Sequence, residues 1–261
     1  MRTIGVIGAG VMGEALISAL ITSGLDCSAI AIYEKRRERT EELESRYGVR
    51  SADLVEVAKR DVVLLVVKPQ DLPDLLDSTP FGEETLLVSF VAGKTTTFIQ
   101  SRANRSRIIR VMPNTPTLVG EGMAAFSATT SVGQGDKDFV RAFLSSAGKV
   151  IEVPEHLQDA VTATSGSGPA YFFAFVEAMI AGAQSLGLSQ EDATTLTVQT
   201  FVGSAQLLAT SGKSAAELRQ NVTSPNGTTA AALASFTESG LNEIVLKAMH
   251  AAHQRSLELG S

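Results

Sequence analysis

Six residues, Gly8-Ala9-Gly10-Val11-Met12-Gly13, limit what this chain can fold into more than any other stretch. They follow directly on Thr3-Ile4-Gly5-Val6-Ile7, an apolar run suited to a buried parallel strand. They lead into Glu14 to Ile21, which reads as a helix ended by Gly24. A GxGxxG pattern alone carries little weight, but between a strand and a helix it is a dinucleotide-binding fingerprint. Gly8 permits the tight turn, Gly10 lets the backbone approach a pyrophosphate, and Gly13 lets helix and strand pack closely. The plainer alternative is a strand-to-helix turn with no ligand.

The same alternation continues along the chain. Ala29 to Tyr33, Asp61 to Val67, Leu86 to Val91 and Arg107 to Met112 read as buried strands separated by helical segments. Two more are expected around Met123 to Ser127 and Val150 to Val153. This pattern predicts a doubly wound, mostly parallel α/β sheet ending near Glu152. Ligands of such sheets bind at the carboxyl ends of the strands, where Lys68 and the Ala92-Gly93-Lys94 and Pro113-Asn114-Thr115-Pro116 loops stand. Glu34, after the second strand, sits where the ribose-binding acid of NAD enzymes belongs. The adjacent Lys35, Arg36 and Arg37 suit the 2′-phosphate of NADP instead. The sequence points both ways, with the basic residues favouring NADP. Most of the charge run from Glu34 to Glu44 also reads as the solvated face of a helix.

Composition changes after Glu155. Between Ala160 and Gly212 only Glu177, Glu191 and Asp192 are charged, and Ala170 to Leu186 and Ala193 to Thr210 read as helices apolar or small on nearly every side. Such helices are covered by a large core or by a partner, and about a hundred residues cannot supply that core alone. An intertwined dimer is therefore expected. The segment Thr162 to Pro169 is read as a helix break, and Ser214 to Gln220, Thr228 to Glu238 and Leu241 to Leu259 as further helices. Between two of these, Asn221-Val222-Thr223-Ser224-Pro225-Asn226-Gly227-Thr228-Thr229 ends one helix and restarts another. Unpaired N–H groups and the helix dipole make that restart a site for a small carboxylate. A capped turn is the plainer reading.

Other classes fit poorly. A net charge of −6 argues against nucleic acid or anionic membrane as a general partner. No apolar run approaches the roughly 18 residues of a membrane span. The single Cys27 and a start that runs straight into a strand suggest a reducing cytoplasm with no targeting segment. His156, His250 and His253 lack the acid or cysteine cluster a metal site needs, so no metal is expected. No nucleophilic triad and no evident general base appear. A bound cofactor performing hydride transfer onto an already electrophilic cyclic imine would need only positioning from the protein.

Four blocks resemble the pyrroline-5-carboxylate reductases in the order that family carries them. These are Val66-Val67-Lys68-Pro69-Gln70, Val111 to Pro116, Ser165-Gly166-Ser167-Gly168-Pro169-Ala170-Tyr171 and Val222 to Thr229. The resemblance runs essentially end to end. It implies a Rossmann-type NAD(P)-binding domain over residues 1–152 and an all-α dimerisation and substrate-binding domain over 153–261. It implies cytoplasmic reduction of the imine 1-pyrroline-5-carboxylate to L-proline, by an interlocked homodimer assembled into a decamer. It places NAD(P)H on Ile7, Gly8, Ala9, Gly10, Val11, Met12, Gly13, Val67, Lys68, Ala92, Glu155 and Asn221; Lys35 and Arg36 join this set on their charge, which favours NADPH over NADH. Ser224, Gly227, Thr228 and Thr229 would grip the substrate carboxylate, and Thr229 would supply the proton to the ring nitrogen.

Two positions depart from the family pattern. Asn226 stands where the family has Gly, and Val11 where it often has Asn. Asn tolerates left-handed backbone better than other non-glycine residues, so the loop is expected to keep its shape. Two other readings fit less well: a β-hydroxyacid dehydrogenase of the same plan, whose catalytic-lysine motif is missing around Lys213 and Lys247, and a non-catalytic NADP sensor, which would have no use for a carboxylate clamp.

Overall fold

The structure, a computed structural model, describes residues 2–260. Eight strands form one sheet: β1 (Ile4–Ile7), β2 (Ile30–Tyr33), β3 (Arg50–Ser51), β4 (Val62–Leu65), β5 (Leu86–Ser89), β6 (Ile108–Met112), β7 (Gly122–Ala128) and β8 (Gly148–Glu152). Their order is β3-β2-β1-β4-β5-β6-β7-β8, and every pairing is parallel except β6 with β7. That exception follows from connection length. A single short turn, Thr115–Val119, joins β6 to β7, and a parallel crossover needs a dozen residues or more. The expected sheet is present, with the two-residue β3 as an unforeseen edge.

Six helices cover the sheet: α1 (Val11–Thr22), α2 (Arg37–Tyr47), α3 (Leu54–Ala58), α4 (Leu72–Ser78), α5 (Thr96–Ala103) and α6 (Gln134–Ser145). Successive strand side chains point to opposite faces, so each strand feeds two cores. Val6, Ile32, Leu64 and Val88 pack with Leu16, Leu20, Leu43 and Phe143 of α1, α2 and α6. Ile7, Val63, Leu65 and Leu87 pack on the other face with Val57, Leu76 and Ile99 of α3, α4 and α5. Burying each such side chain contributes about 1.5–3 kcal/mol, so runs apolar on both faces are stable only as covered parallel strands.

The remaining helices are α7 (Gln158–Val161), α8 (Gly168–Ser185), α9 (Gln190–Thr210), α10 (Ala215–Asn221), α11 (Thr228–Glu238) and α12 (Leu241–Gly260). The chain divides into two compact units. One comprises the residues up to Pro169 together with those from Ala251 onward, and the other runs from Ala170 to His250. Thus α12 begins in the second unit and ends in the first. This division differs from the expected domain boundary at residue 152, because 153–169 and the end of α12 group with the sheet. The stretch read as a helix break is instead one wide π-helical turn, Thr162–Gly166, followed by Ser167 in helical conformation. The Ser167 N–H donates to the Thr162 carbonyl at 2.8 Å, five residues back, and Pro169 follows in the first turn of α8, where a missing N–H is tolerated.

Within the second unit α8, α10 and α11 bury none of their residues, and Phe173, Leu186, Leu196 and Val202 are more than half exposed. Phe172 and Phe175 meet Phe201 edge-on, at 5.1 and 5.9 Å between ring centroids. Helices this apolar on the outside call for cover from another chain.

Candidate active site

At the carboxyl ends of β1, β2 and β4 lies a cleft of about 600 Å³. This is the point where strand order reverses, and its size suits a small ligand or cofactor. Ile7, Gly8 and Gly10 line it from β1, Tyr33 through Arg36 from β2, and Val66, Val67 and Lys68 from β4. Leu54 of α3 and Leu75 of α4 add apolar lining, with Asp71, Asp74 and Ser78 beside them. Of the residues expected to hold the cofactor, Ile7, Gly8, Gly10, Lys35, Arg36, Val67 and Lys68 therefore meet in one cleft.

The glycines take distinct positions. Gly8 has φ +92°, and a Cβ there would stand 2.7 Å from the Val66 carbonyl oxygen. A Cβ on Gly13 would overlap the Gly8 carbonyl oxygen, so α1 packs directly on the loop it follows. A Cβ on Gly10 meets nothing within 4 Å. Gly10 is the N-cap of α1 and provides no side-chain cap, so the N–H groups heading that helix are left for an anion. These residues fit a dinucleotide pyrophosphate. Ala9 and Gly13 are buried behind the loop, Met12 packs against the core, and Val11 projects outward at 67% exposure.

Glu34 is not a free acid. Its carboxylate pairs with Arg36 Nε at 3.0 Å and accepts the Arg36 backbone N–H at 3.2 Å. Burial opposes its ionisation, but the hydrogen bonds and charge of Arg36, with the Ala9 backbone, outweigh that and hold the carboxyl below its ordinary value. Lys35 and Arg36 are exposed at the rim.

Other expected residues lie outside the cleft. Ala92 is in the turn after β5, and Asn221 is the exposed last residue of α10. Glu155 is committed to the start of α5, accepting the Thr96 backbone N–H at 2.6 Å and the Thr96 hydroxyl. Arg110, buried in β6, lies 3.8 Å from Glu155 and 3.2 Å from Asp159, which in turn accepts the Ser256 hydroxyl at 2.6 Å. This chain of contacts was not legible in the sequence, because Thr96, Arg110 and Ser256 stand far from one another and from the Glu155–Asp159 pair along the chain.

In the second unit the segment from Ser224 to Thr229 is a turn into α11. Gly227 N–H donates to the Ser224 carbonyl at 3.1 Å, and Asn226 adopts φ +61°. The tolerance of Asn for this region is thus used here. Gly227 is the N-cap of α11 and supplies no side-chain cap. Ser189 and Ser214, by contrast, cap α9 and α10 with their hydroxyls. The first N–H groups of α11, on Thr228 and Thr229, are left in the arrangement that accepts a carboxylate.

A family profile described as pyrroline-5-carboxylate reductase dimerisation matches residues 155–259. One described as NADP oxidoreductase, coenzyme F420-dependent, matches residues 3–93. A pyrroline-5-carboxylate reductase from Corynebacterium melassecola is 39% identical over 100% of this chain and 99% of its own length. The chain belongs to the pyrroline-5-carboxylate reductases. A pyrroline-5-carboxylate reductase from Synechocystis is 40% identical, over 98% of each chain. Among solved structures, a Plasmodium falciparum pyrroline carboxylate reductase with NADP bound superposes with a TM-score of 0.89. It is 30% identical and is matched over 100% of this chain and 98% of its own. As in other pyrroline-5-carboxylate reductases, the helical half is a dimerisation domain, which accounts for the uncovered apolar faces of α8 to α11. No helix among the described residues is long and apolar enough to cross a membrane.

Proposed function

We propose that this chain carries out its family's reaction, the NAD(P)H-dependent reduction of 1-pyrroline-5-carboxylate to L-proline. The observation that carries this reading is the full-length likeness to pyrroline-5-carboxylate reductases, with the glycine cleft and the Ser224–Thr229 turn both intact. A bound nicotinamide cofactor supplies the hydride for the imine carbon. The chain's own residues bind, orient and deliver a proton. Ile7, the Gly8 to Gly13 loop, Val67 and Lys68 hold the dinucleotide. Ala92, Glu155 and Asn221 are assigned to it on the family resemblance alone.

The backbone of Thr228 and Thr229, with Ser224 and Gly227 shaping the turn, grips the substrate carboxylate. The Thr229 hydroxyl donates or relays the proton that the ring nitrogen gains as the C=N bond becomes a C–N bond. A hydroxyl is a weak acid, and an iminium substrate demands little from it. NADPH is preferred over NADH in this reading. Arg36 neutralises Glu34 beside exposed Lys35, and that environment favours a phosphate over a ribose diol. The assembly is an interlocked dimer built further into a decamer, and the place of work is the cytoplasm.

The decisive assay follows NADPH and NADH oxidation by absorbance with 1-pyrroline-5-carboxylate and with its six-membered homologue. Rapid turnover of the five-membered imine is expected. Intact NADPH binding with no turnover of that imine would sink the reading.

A further inference from the structure

Arg39, in the first turn of α2, reaches the back of the glycine loop without lining the cleft. Its Nε donates to the Ala9 carbonyl at 3.1 Å, and a terminal nitrogen lies 3.5 Å from the Gly10 carbonyl. The same guanidinium pairs with Glu14 in the first turn of α1 and with Glu42 at 2.6 Å. Its side chain is only 14% exposed, so a charge is held largely out of water. Such a group keeps its place only where its hydrogen bonds are made, and here the loop's own carbonyls are among the acceptors.

The geometry of the peptide group gives this contact a consequence. All described peptide bonds are trans, so the Ala9 carbonyl and the Gly10 N–H point in opposite directions from one plane. Holding the carbonyl toward Arg39 turns the Gly10 N–H away from it, and Gly10 lines the cleft. A second consequence is electrostatic. Glu14 puts a carboxylate beside the helix end that an anion would approach. Arg39 and Arg46 both pair with it, and the Tyr47 hydroxyl donates to it at 3.0 Å. Its charge is thereby balanced locally, so it does not repel the ligand.

We infer that Arg39 is a positioning residue for the cofactor, holding the glycine loop so that its amide N–H groups face the pyrophosphate common to NADH and NADPH. This rests on the reading of that loop as the pyrophosphate cradle. Arg39 touches neither substrate nor cofactor and acts through Ala9, Gly10 and Glu14.

The test uses the full chain carrying Arg39→Lys or Arg39→Ala, with Gly10→Val as the control. NADPH and NADH are titrated calorimetrically, and kcat, KM for the imine and thermal unfolding are measured beside them. Loss of a charge-assisted contact is expected to raise Kd about tenfold. The same factor should apply to both cofactors, with kcat at saturating cofactor and KM for the imine unchanged. Lys lacks the planar fork that meets a carbonyl and Glu14 together, so Arg39→Lys should recover only part of the affinity. Unchanged Kd values, whatever happens to thermal stability, would overturn the inference by reducing Arg39 to a brace between helices. A loss confined to NADPH would overturn it by placing the guanidinium on the 2′-phosphate. If Gly10→Val binds both cofactors normally, the cradle reading falls and takes the inference with it. If Gly10→Val abolishes binding while Arg39→Ala binds as the wild type does, only the inference falls.

Discussion

Gly93 and Gly260 lie back to back: a Cβ on Gly260 would stand 2.5 Å from the Gly93 carbonyl oxygen. In the other direction, a Cβ on Gly93 would meet the Cβ of Leu259 at 2.7 Å and its carbonyl carbon at 3.0 Å. The turn after β5 is therefore backed by the last residues of α12. Gly93 also has φ +76°, which a side chain would strain whatever the space. Gly93→Ala should accordingly lower the free energy of unfolding by about 1–3 kcal/mol. Gly10→Ala, whose added carbon meets nothing within 4 Å, should cost far less. Urea unfolding of the two variants side by side decides this, and equal midpoints would mean the Gly93 turn is not pinned.

Thr229→Ala removes the proposed proton source and leaves the backbone donors of α11 in place. A drop in kcat of about tenfold or more is expected, with little change in cofactor Kd. Wild-type turnover in steady-state assays would take the proton-donor role away from this hydroxyl.

Arg36→Ala removes one charge-assisted partner of a 2′-phosphate and releases Glu34. NADPH affinity should fall by about 10- to 100-fold. NADH affinity should hold or improve, since the freed carboxylate can accept from a ribose hydroxyl. Parallel losses for both cofactors in a titration would move the phosphate contact elsewhere.

Acid should weaken the junction of α1 and α2 through Glu14. Burial opposes ionisation of this carboxyl, but hydrogen bonds from Arg39, Tyr47 and Arg46 prevail and hold it below the ordinary glutamate value. A carboxyl depressed in the folded state contributes stability that is complete above its unfolded pKa and is lost as pH falls through the folded one. The cofactor-free chain should therefore lose thermal stability from the ordinary glutamate range downward, and Glu14→Gln should show a flatter acid limb there. Superimposable profiles would remove Glu14 from the balance.

The buried strands were legible because parallel strands covered on both faces must read as continuous apolar runs, as Val62 to Leu65 does. The glycine loop was legible because Gly8 and Gly13 leave no room for a Cβ, while Gly10 keeps the head of α1 bare where a ligand would approach. Edge strand β3 was not, since Arg50 and Ser51 are polar, only two residues long and paired on one side. Leu54 and Leu75 line the cleft, yet nothing in their spacing separates them from core leucines. Arg39 was hidden in another way. A basic residue on a charged helix reads as solvated, and only the folded backbone brings it to carbonyls 30 residues earlier in the chain. The π-helical turn at Thr162–Gly166 also escaped, since a Gly-Ser-rich stretch ending in proline reads as a break unless packing, here of Gly166 against Met112, holds the helix together.

The division of α12 between the two units has a consequence for biosynthesis. Domains tend to fold as units, the N-terminal one first, while the rest of the chain is still being made. Here the sheet can leave the ribosome with its cleft formed while the residues that back the Gly93 turn and pair with Asp159 await translation. The nascent sheet unit is completed only after the whole helical unit has been synthesised. The backing of the turn beside Ala92 therefore becomes available only after the apolar helices that need a second chain have been made.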